Sequence, residues 1–215
     1  MARPRLPLLD RGRIVAQAIA IIDADGLDAL STRRLAQELN VRAPSLYNHF
    51  GTKEEILDAA ADAIIAEVDL SMFGRAPWPE ALTQWARAYR AALAAHPHAV
   101  PFLAHGPARR PAALRLAAAV YGALVDAGWP PREATHIGAT MRYFVAGSAL
   151  GSFAQGFPDD PAVYAQQYPT LSDAHRLREH GEKVDEGAFE LGLTALIAGL
   201  EAKFEELPVA RPSGA

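Results

Sequence analysis

Between Ser31 and Lys53 the chain concentrates side chains able to hydrogen-bond anionic oxygens or polar edges: Thr32, Arg33, Arg42, Ser45, Tyr47, Asn48, His49, Thr52 and Lys53, with the small Ala43 among them. Arginine, lysine, tyrosine and hydroxyl groups suit phosphate oxygens, and arginine, asparagine and serine also fit base edges. Asn, Ser and His are mediocre helix formers, so a helix carrying them outward is not built for its own stability. The chemistry this cluster offers is groove reading.

Other chemistries find less support. There is no cysteine, which excludes disulfides, thiolate nucleophiles and Cys-based metal sites. His96-Pro-His98 with His105 is the densest histidine group, yet it contains no helix-spaced pair beside a carboxylate, so no metal and no cofactor is expected. Neither a G-x-S-x-G elbow nor a phosphate-cradling glycine loop is present. Two competing classes remain open at this stage. One is an all-helical enzyme, metal-dependent or converting a small molecule, that keeps a vestigial DNA-binding head and uses the histidines as its centre. The other is a ligand-free architectural DNA binder, which predicts no apolar cavity and poor sequence discrimination.

The groove-reading cluster needs two short helices at a steep angle, a geometry that constrains few positions but constrains them hard. Ala36 is small where the helices must touch. Asn40, four residues on, tolerates positive φ in the turn, and Leu46 plugs the junction six residues later. Leu35, Leu39 and Val41 fill the core beneath. Ahead of this unit, Asp10 to Ala24 reads as a helix with Ile14, Ala18, Ile21 and Ile22 on one face, stopped by Asp25-Gly26. Ser31 or Thr32 caps the second helix, and Pro44 opens a very short third ending near Phe50-Gly51. Thr52-Lys-Glu-Glu55 is a capping box for a fourth helix running to about Val68.

Further on, Trp78, Leu82, Trp85, Tyr89 and Leu93 follow helical spacing until His96-Pro97. Residues 97–111 read as loop-rich, with at most one short helix. Helices are expected over 112–127, from Pro131 to about Phe157, and over Val184 to Leu207. Residues 158–182 read as a mobile excursion holding at most one helix, and PVARPSGA as a frayed tail. The expected fold is therefore all-α: a three-helix helix-turn-helix domain over residues 1–53, and a helical effector-binding and dimerisation domain over 54–215.

Composition agrees. The chain is 50% hydrophobic and alanine-rich without strand-like runs, enough to bury a sizeable helical core. Its net charge of −4 divides unevenly: eight Lys and Arg against five acidic residues in 1–53 give +3, leaving −7 for the rest. A basic head on an acidic body suits approach to phosphates by one part only. No stretch has signal-peptide or membrane-span character, so a cytoplasmic protein with no membrane partner is expected.

The run LSTRRLAQELNVRAPSLYNHFGTKEEILDAAADAI, above all Ser45-Leu-Tyr47-Asn-His49-Phe50 followed by Lys53, closely resembles the DNA-binding head of the TetR family. The resemblance implies a ligand-responsive regulator that catalyses nothing: a homodimer, in the main a repressor, released from a palindromic operator in double-stranded DNA by a small molecule. It implies backbone and occasional base contacts for Thr32 and Arg33, and sequence selection by Arg42, Ala43, Ser45 and Asn48. Phosphate contacts fall to Tyr47, His49 and Lys53, with Thr52 at a helix N-terminus that can also meet a phosphate. Asn40 departs from the glycine usual in the turn.

The C-terminal part resembles the tetracycline-binding branch more weakly, through Trp85-Ala-Arg87-X-X-Arg90 and Phe189-X-X-Gly192-Leu193 with Gly199-Leu200. The resemblance implies a cavity among the body helices, for which Trp85, Tyr89, Phe102, His105, Tyr121, His136, Arg142 and Phe144 are the candidate effector contacts. His105 falls where that branch places a histidine that helps hold a drug-bound magnesium. The acidic partner is missing from Gly-Ser-Ala-Leu-Gly at 147–151, so the expected effector is apolar or aromatic rather than a metal–drug complex. Small residues on two helices, Gly138, Gly147, Ser148 and Gly151 on one and Gly192, Ala195 and Gly199 on the other, suit close packing in a dimer.

Overall fold

Asp10 starts the first helix as its N-cap, the side-chain oxygen accepting from the Arg13 N–H at 2.8 Å. In the computed structural model, which describes residues 9–105 and 109–207, every regular element is helical. The helices are α1 (Arg11–Asp25), α2 (Thr32–Glu38), α3 (Ala43–Tyr47), α4 (Lys53–Ala66), α5 (Trp78–Ala95), α6 (Val100–His105), α7 (Pro111–Asp126), α8 (Pro131–Ser148), α9 (Pro161–Gln167) and α10 (Gly181–Glu205). No helix among the described residues is long and apolar enough to cross a membrane. The tail Pro208–Ala215 lies outside the described residues.

Contacts divide the chain into two units, residues 1–69 with 89–118, and residues 70–88 with 119–215. In the first, α1 packs on α4 and α2 on α3. Ile14, Ala18, Ile21 and Ile22 of α1 are buried, as their spacing requires, together with Leu35, Ala36, Leu39, Leu46 and Phe50. Val41 is half-buried. The end of α5 is tied into the same unit by two histidines. His96 Nδ1 lies 2.9 Å from Asp23 Oδ2 and its Nε2 3.4 Å from Glu67 Oε2, while His98 Nδ1 sits 3.1 and 3.0 Å from the carbonyls of Ile22 and Asp23. Those carbonyls belong to the last turn of α1, where partners from outside the helix are needed.

The second unit is organised by rings. Trp78, Trp129 and Phe204 form a triangle with centroids 5.1 to 5.6 Å apart, and Phe144 stacks on Phe189 at 5.3 Å. Gly192 is required by that stack, since a Cβ there would stand 2.6 Å from Phe144 Cε2. Arg87 on α5 makes a two-pronged bond to Glu190 on α10, at 2.8 and 2.6 Å, which raises the arginine pKa further.

One expectation changes here. Helix α8 stops at Ser148, nine residues short of Phe157, because two glycines, Gly147 and Gly151, flank its end. The Ser148 hydroxyl donates back to the Val145 carbonyl at 2.8 Å, competing with continued helix. Residues 158–182 hold one α-helix, α9, as the sequence allows. Asp160 caps α9, Tyr164 is buried and donates to the Pro158 carbonyl at 2.8 Å, and short 3-10 turns lead through buried Ala174 into α10. Alternation of turns and single buried side chains has no long period to detect in the sequence.

Candidate functional site

The groove-reading cluster is built from three caps and one plug. Ser31 accepts from the Arg34 N–H at 3.1 Å and starts α2. The turn after α2 closes through Asn40 at φ 54° and a bond from the Val41 N–H to the Ala36 carbonyl at 2.9 Å. Ala36 is 3% exposed, and a larger side chain would separate the helices. Helix α3 then begins at Ala43, with Pro44 in its first turn, and only Leu46 of its five residues is buried. One anchored side chain is enough to turn the others outward.

Of the ten residues expected to meet DNA, five are exposed and five half-buried. Tyr47 is 53% exposed, Arg33, Arg42, Asn48 and Thr52 are exposed, and Thr32, Ala43, Ser45, His49 and Lys53 are half-buried. Thr52 caps α4 by accepting from the Glu55 N–H at 3.1 Å. Glu55 reaches back past the expected partner to the Gly51 N–H at 2.7 Å, so the carboxylate closes the turn before the cap rather than the cap itself.

Sequence reasoning missed what holds α3 from behind. Arg11, at the start of α1, donates to the His49 carbonyl and lays its guanidinium 3.9 Å from the centroid of the Phe50 ring. Arg34 is similarly engaged with Asp25. Both belong to the eight basic residues of 1–53, yet each is engaged within the fold. Nothing in their local spacing signals this, because the partners lie 38 and 9 residues away.

The candidate effector residues are more scattered. In the first unit Tyr89 is 4% exposed and Phe102 half-buried, while the side chain of His105 lies outside the description. In the second unit Trp85 is 1% exposed, Arg142 and Phe144 are half-buried, Tyr121 is 41% exposed and His136 is on the surface. Among the described residues no group of His, Asp or Glu is disposed to hold a metal ion. His96 and His98 are occupied with α1 and α4, as described above.

A short helix plugged by one leucine, presenting phenol, amide and guanidinium side chains beside a capped helix N-terminus, defines a helix-turn-helix DNA-binding regulator. Two family models match this chain: "Bacterial regulatory proteins, tetR family" over residues 14–60 and "Tetracyclin repressor-like, C-terminal domain" over residues 73–204. The chain therefore belongs to the TetR family of transcriptional regulators, and it is not an enzyme. An HTH-type transcriptional regulator of Saccharopolyspora erythraea is 36% identical over 142 residues, which span 66% of this chain and 60% of that protein. The class A tetracycline repressor from transposon 1721 of Escherichia coli is 32% identical over 200 residues, 89% of this chain and 90% of the repressor. Among solved structures, the Streptomyces coelicolor TetR family protein ActR in complex with actinorhodin superposes with a TM-score of 0.73 at 30% identity, covering 92% of this chain and 99% of that one.

Proposed function

We propose that the chain is a cytoplasmic homodimeric repressor, whose head (residues 1–53) grips a palindromic operator and whose body (residues 54–215) binds a small molecule that releases it. The observation that carries this reading is α3, where Leu46 alone is buried and Tyr47 and Asn48 face out beside Arg42. Arg42, Ala43, Ser45 and Asn48 select the base sequence. Tyr47, His49 and Lys53, with the Thr52 cap, hold phosphates, and Thr32 and Arg33 reach the backbone at the start of α2. Two such heads on a dimer read half-sites about one DNA turn, or roughly 34 Å, apart.

The dimer is supported by the second unit. Tyr143 on α8 and Leu191 on α10 are 70% and 74% exposed, large apolar side chains on the two helices that carry the small residues. Gly147 and Gly199 have open space around them, whereas Gly138 faces Val120 and Gly192 faces Phe144 of the same chain. We therefore place Gly147 and Gly199 at the close approach of the partner.

The effector is an apolar or aromatic molecule bound without metal. The absence of a carboxylate between residues 147 and 151 supports this, as do the half-buried rings of Phe102 and Phe144. Two relatives are described by fused-ring compounds, tetracycline for one and actinorhodin for the other. The effector must bind the DNA-incompetent state more tightly, and DNA then weakens effector binding by the same factor.

Selection of bound duplexes from a random pool tests the reading directly. A palindromic consensus is expected, and a pool that stays random would overturn it. On the selected operator, Tyr47→Ala and Lys53→Ala should weaken matched and mismatched sequences alike. Lys53→Ala should also reduce the salt slope by about one unit, the signature of a lost cationic phosphate contact, whereas loss of the neutral Tyr47 phenol should leave the slope nearly unchanged.

A further inference from the structure

The connector between α3 and α4, residues 49–51, is held at both of its polar ends by side chains from outside it. At one end the His49 carbonyl accepts from the Arg11 guanidinium, whose carbon also lies 3.9 Å from the centroid of the Phe50 ring. At the other end the Gly51 N–H donates to Glu55 Oε2 at 2.7 Å. Phe50, between them, is 2% exposed. Arg11 is the first residue of α1, a helix capped by Asp10 and packed on α4, so its guanidinium reaches the connector from a fixed base. The residues assigned to DNA divide at this point. Arg42, Ser45 and Asn48, the base readers, come before the connector, and Lys53 with the Thr52 cap comes after it.

We propose that Arg11 is a positioning residue for base recognition: it fixes the base readers of α3 against the phosphate grip of α4, and its own charge is not spent on a phosphate. The inference rests on the assignment of DNA contacts given above. A guanidinium is a rigid plane with donors along its edge, so it can donate to a carbonyl while its face lies on a ring. The His49 carbonyl lies past the last turn of α3, where no further helical N–H reaches it, and Arg11 supplies the donor. An arginine committed in this way releases no counterion from a phosphate, although it counts among the eight basic residues of the head. Loosening the connector lets α3 tilt against α4. Base contacts depend on that register, whereas non-specific binding rests on phosphates and tolerates its loss.

Two substitutions in the full chain test this, Arg11→Lys and Arg11→Gln, with Lys53→Ala alongside as the reference for a lost cationic phosphate contact. Arg11 is exposed, so its replacement leaves the buried face of α1 intact, and circular dichroism at the assay temperature checks folding. Affinity is measured across a range of salt for the operator selected by the unaltered protein and for an unrelated duplex of equal length. Lysine keeps the charge and loses the planar fork, and glutamine loses both. Each should weaken operator binding by about tenfold, the scale of a partly lost base contact. Affinity for the unrelated duplex should change by less than about twofold, and the salt slope by less than about half a unit. A slope lower by about one unit in Arg11→Gln, with near-normal binding by Arg11→Lys, would make Arg11 a phosphate contact and overturn the proposal. Unchanged operator affinity in both folded variants would overturn it too, reducing the bond to a support of the fold, as would equal losses on both duplexes. If Lys53→Ala leaves the slope unaltered, the phosphate assignment falls instead, and the ratio of operator to unrelated affinity still decides the role of Arg11. A pool that yields no consensus removes both readings together, whereas the other outcomes remove this one alone.

Discussion

Helices α3 and α10 both leave a face uncovered, and the chemistry of that face differs completely. In α3 the single buried residue is Leu46, and the outward side chains are polar. In α10, five times as long, Phe189, Leu193 and Ile197 are buried at four-residue spacing while Leu191 stands 74% exposed. A polar face without a protein partner costs little in water, so α3 can wait for DNA indefinitely. An exposed apolar face is a standing incentive to associate. On the proposed function the two helices would meet partners of opposite character, a polyanion for one and a second copy of the chain for the other.

The comparison is broken most severely at Leu46. Leu46→Ala leaves a cavity under a helix with no other buried anchor, at a cost of about 2–5 kcal/mol. Chemical denaturation followed by hydrogen exchange should show α2 and α3 exchanging freely while the Trp78, Trp129 and Phe204 triangle keeps its near-ultraviolet signal. Loss of that signal at the same denaturant concentration would mean that α3 is not held by Leu46 in the way its burial indicates.

The next effect is on α10. Leu191→Asp places a charge on an exposed position, so the folded protomer should stay within about 0.5 kcal/mol of the original. Self-association should weaken by about tenfold or more, since association would bury the new carboxylate without a partner. Sedimentation equilibrium reads this without interference from DNA. Unchanged dimerisation would move the interface away from α10 and leave Leu191 without an explanation.

How much of this could be read beforehand differs between the same two regions. The head was legible because its requirements are local: a small Ala36, a turn-tolerant Asn40, a plug at Leu46 and caps at Ser31 and Thr52 each satisfy a distinct steric or hydrogen-bonding demand at fixed spacing. What could not be read there were the long-range braces, Arg11 to the end of α3 and Arg34 to Asp25, whose role depends on the folded arrangement. In the second unit the helices were legible from period, but their small residues were not interpretable by type alone. Gly192 carries the Phe144 stack of its own chain, whereas Gly147, Gly151 and Gly199 have open surroundings, a difference that residue type does not report. Similarly, no pattern in sequence reports that Arg110 is buried, since its partner Asp58 lies 52 residues earlier.

The smallest effect is the most discriminating for the head. Asn40 holds φ 54°, a conformation that favours glycine over every other residue, and its side chain is exposed. Asn40→Gly removes the side-chain strain and adds freedom to the unfolded chain, two contributions of opposite sign that nearly cancel. Stability should change by no more than about 0.5 kcal/mol, and affinity for the operator should be preserved. Asn40→Ala, which lacks both the permissive backbone and the short polar group, should lose about 1 kcal/mol and carry α3 with it. If alanine is tolerated as well as glycine, the turn does not impose its backbone angle. The crossing of α2 and α3 would then owe its geometry to Leu46 and Ala36 alone.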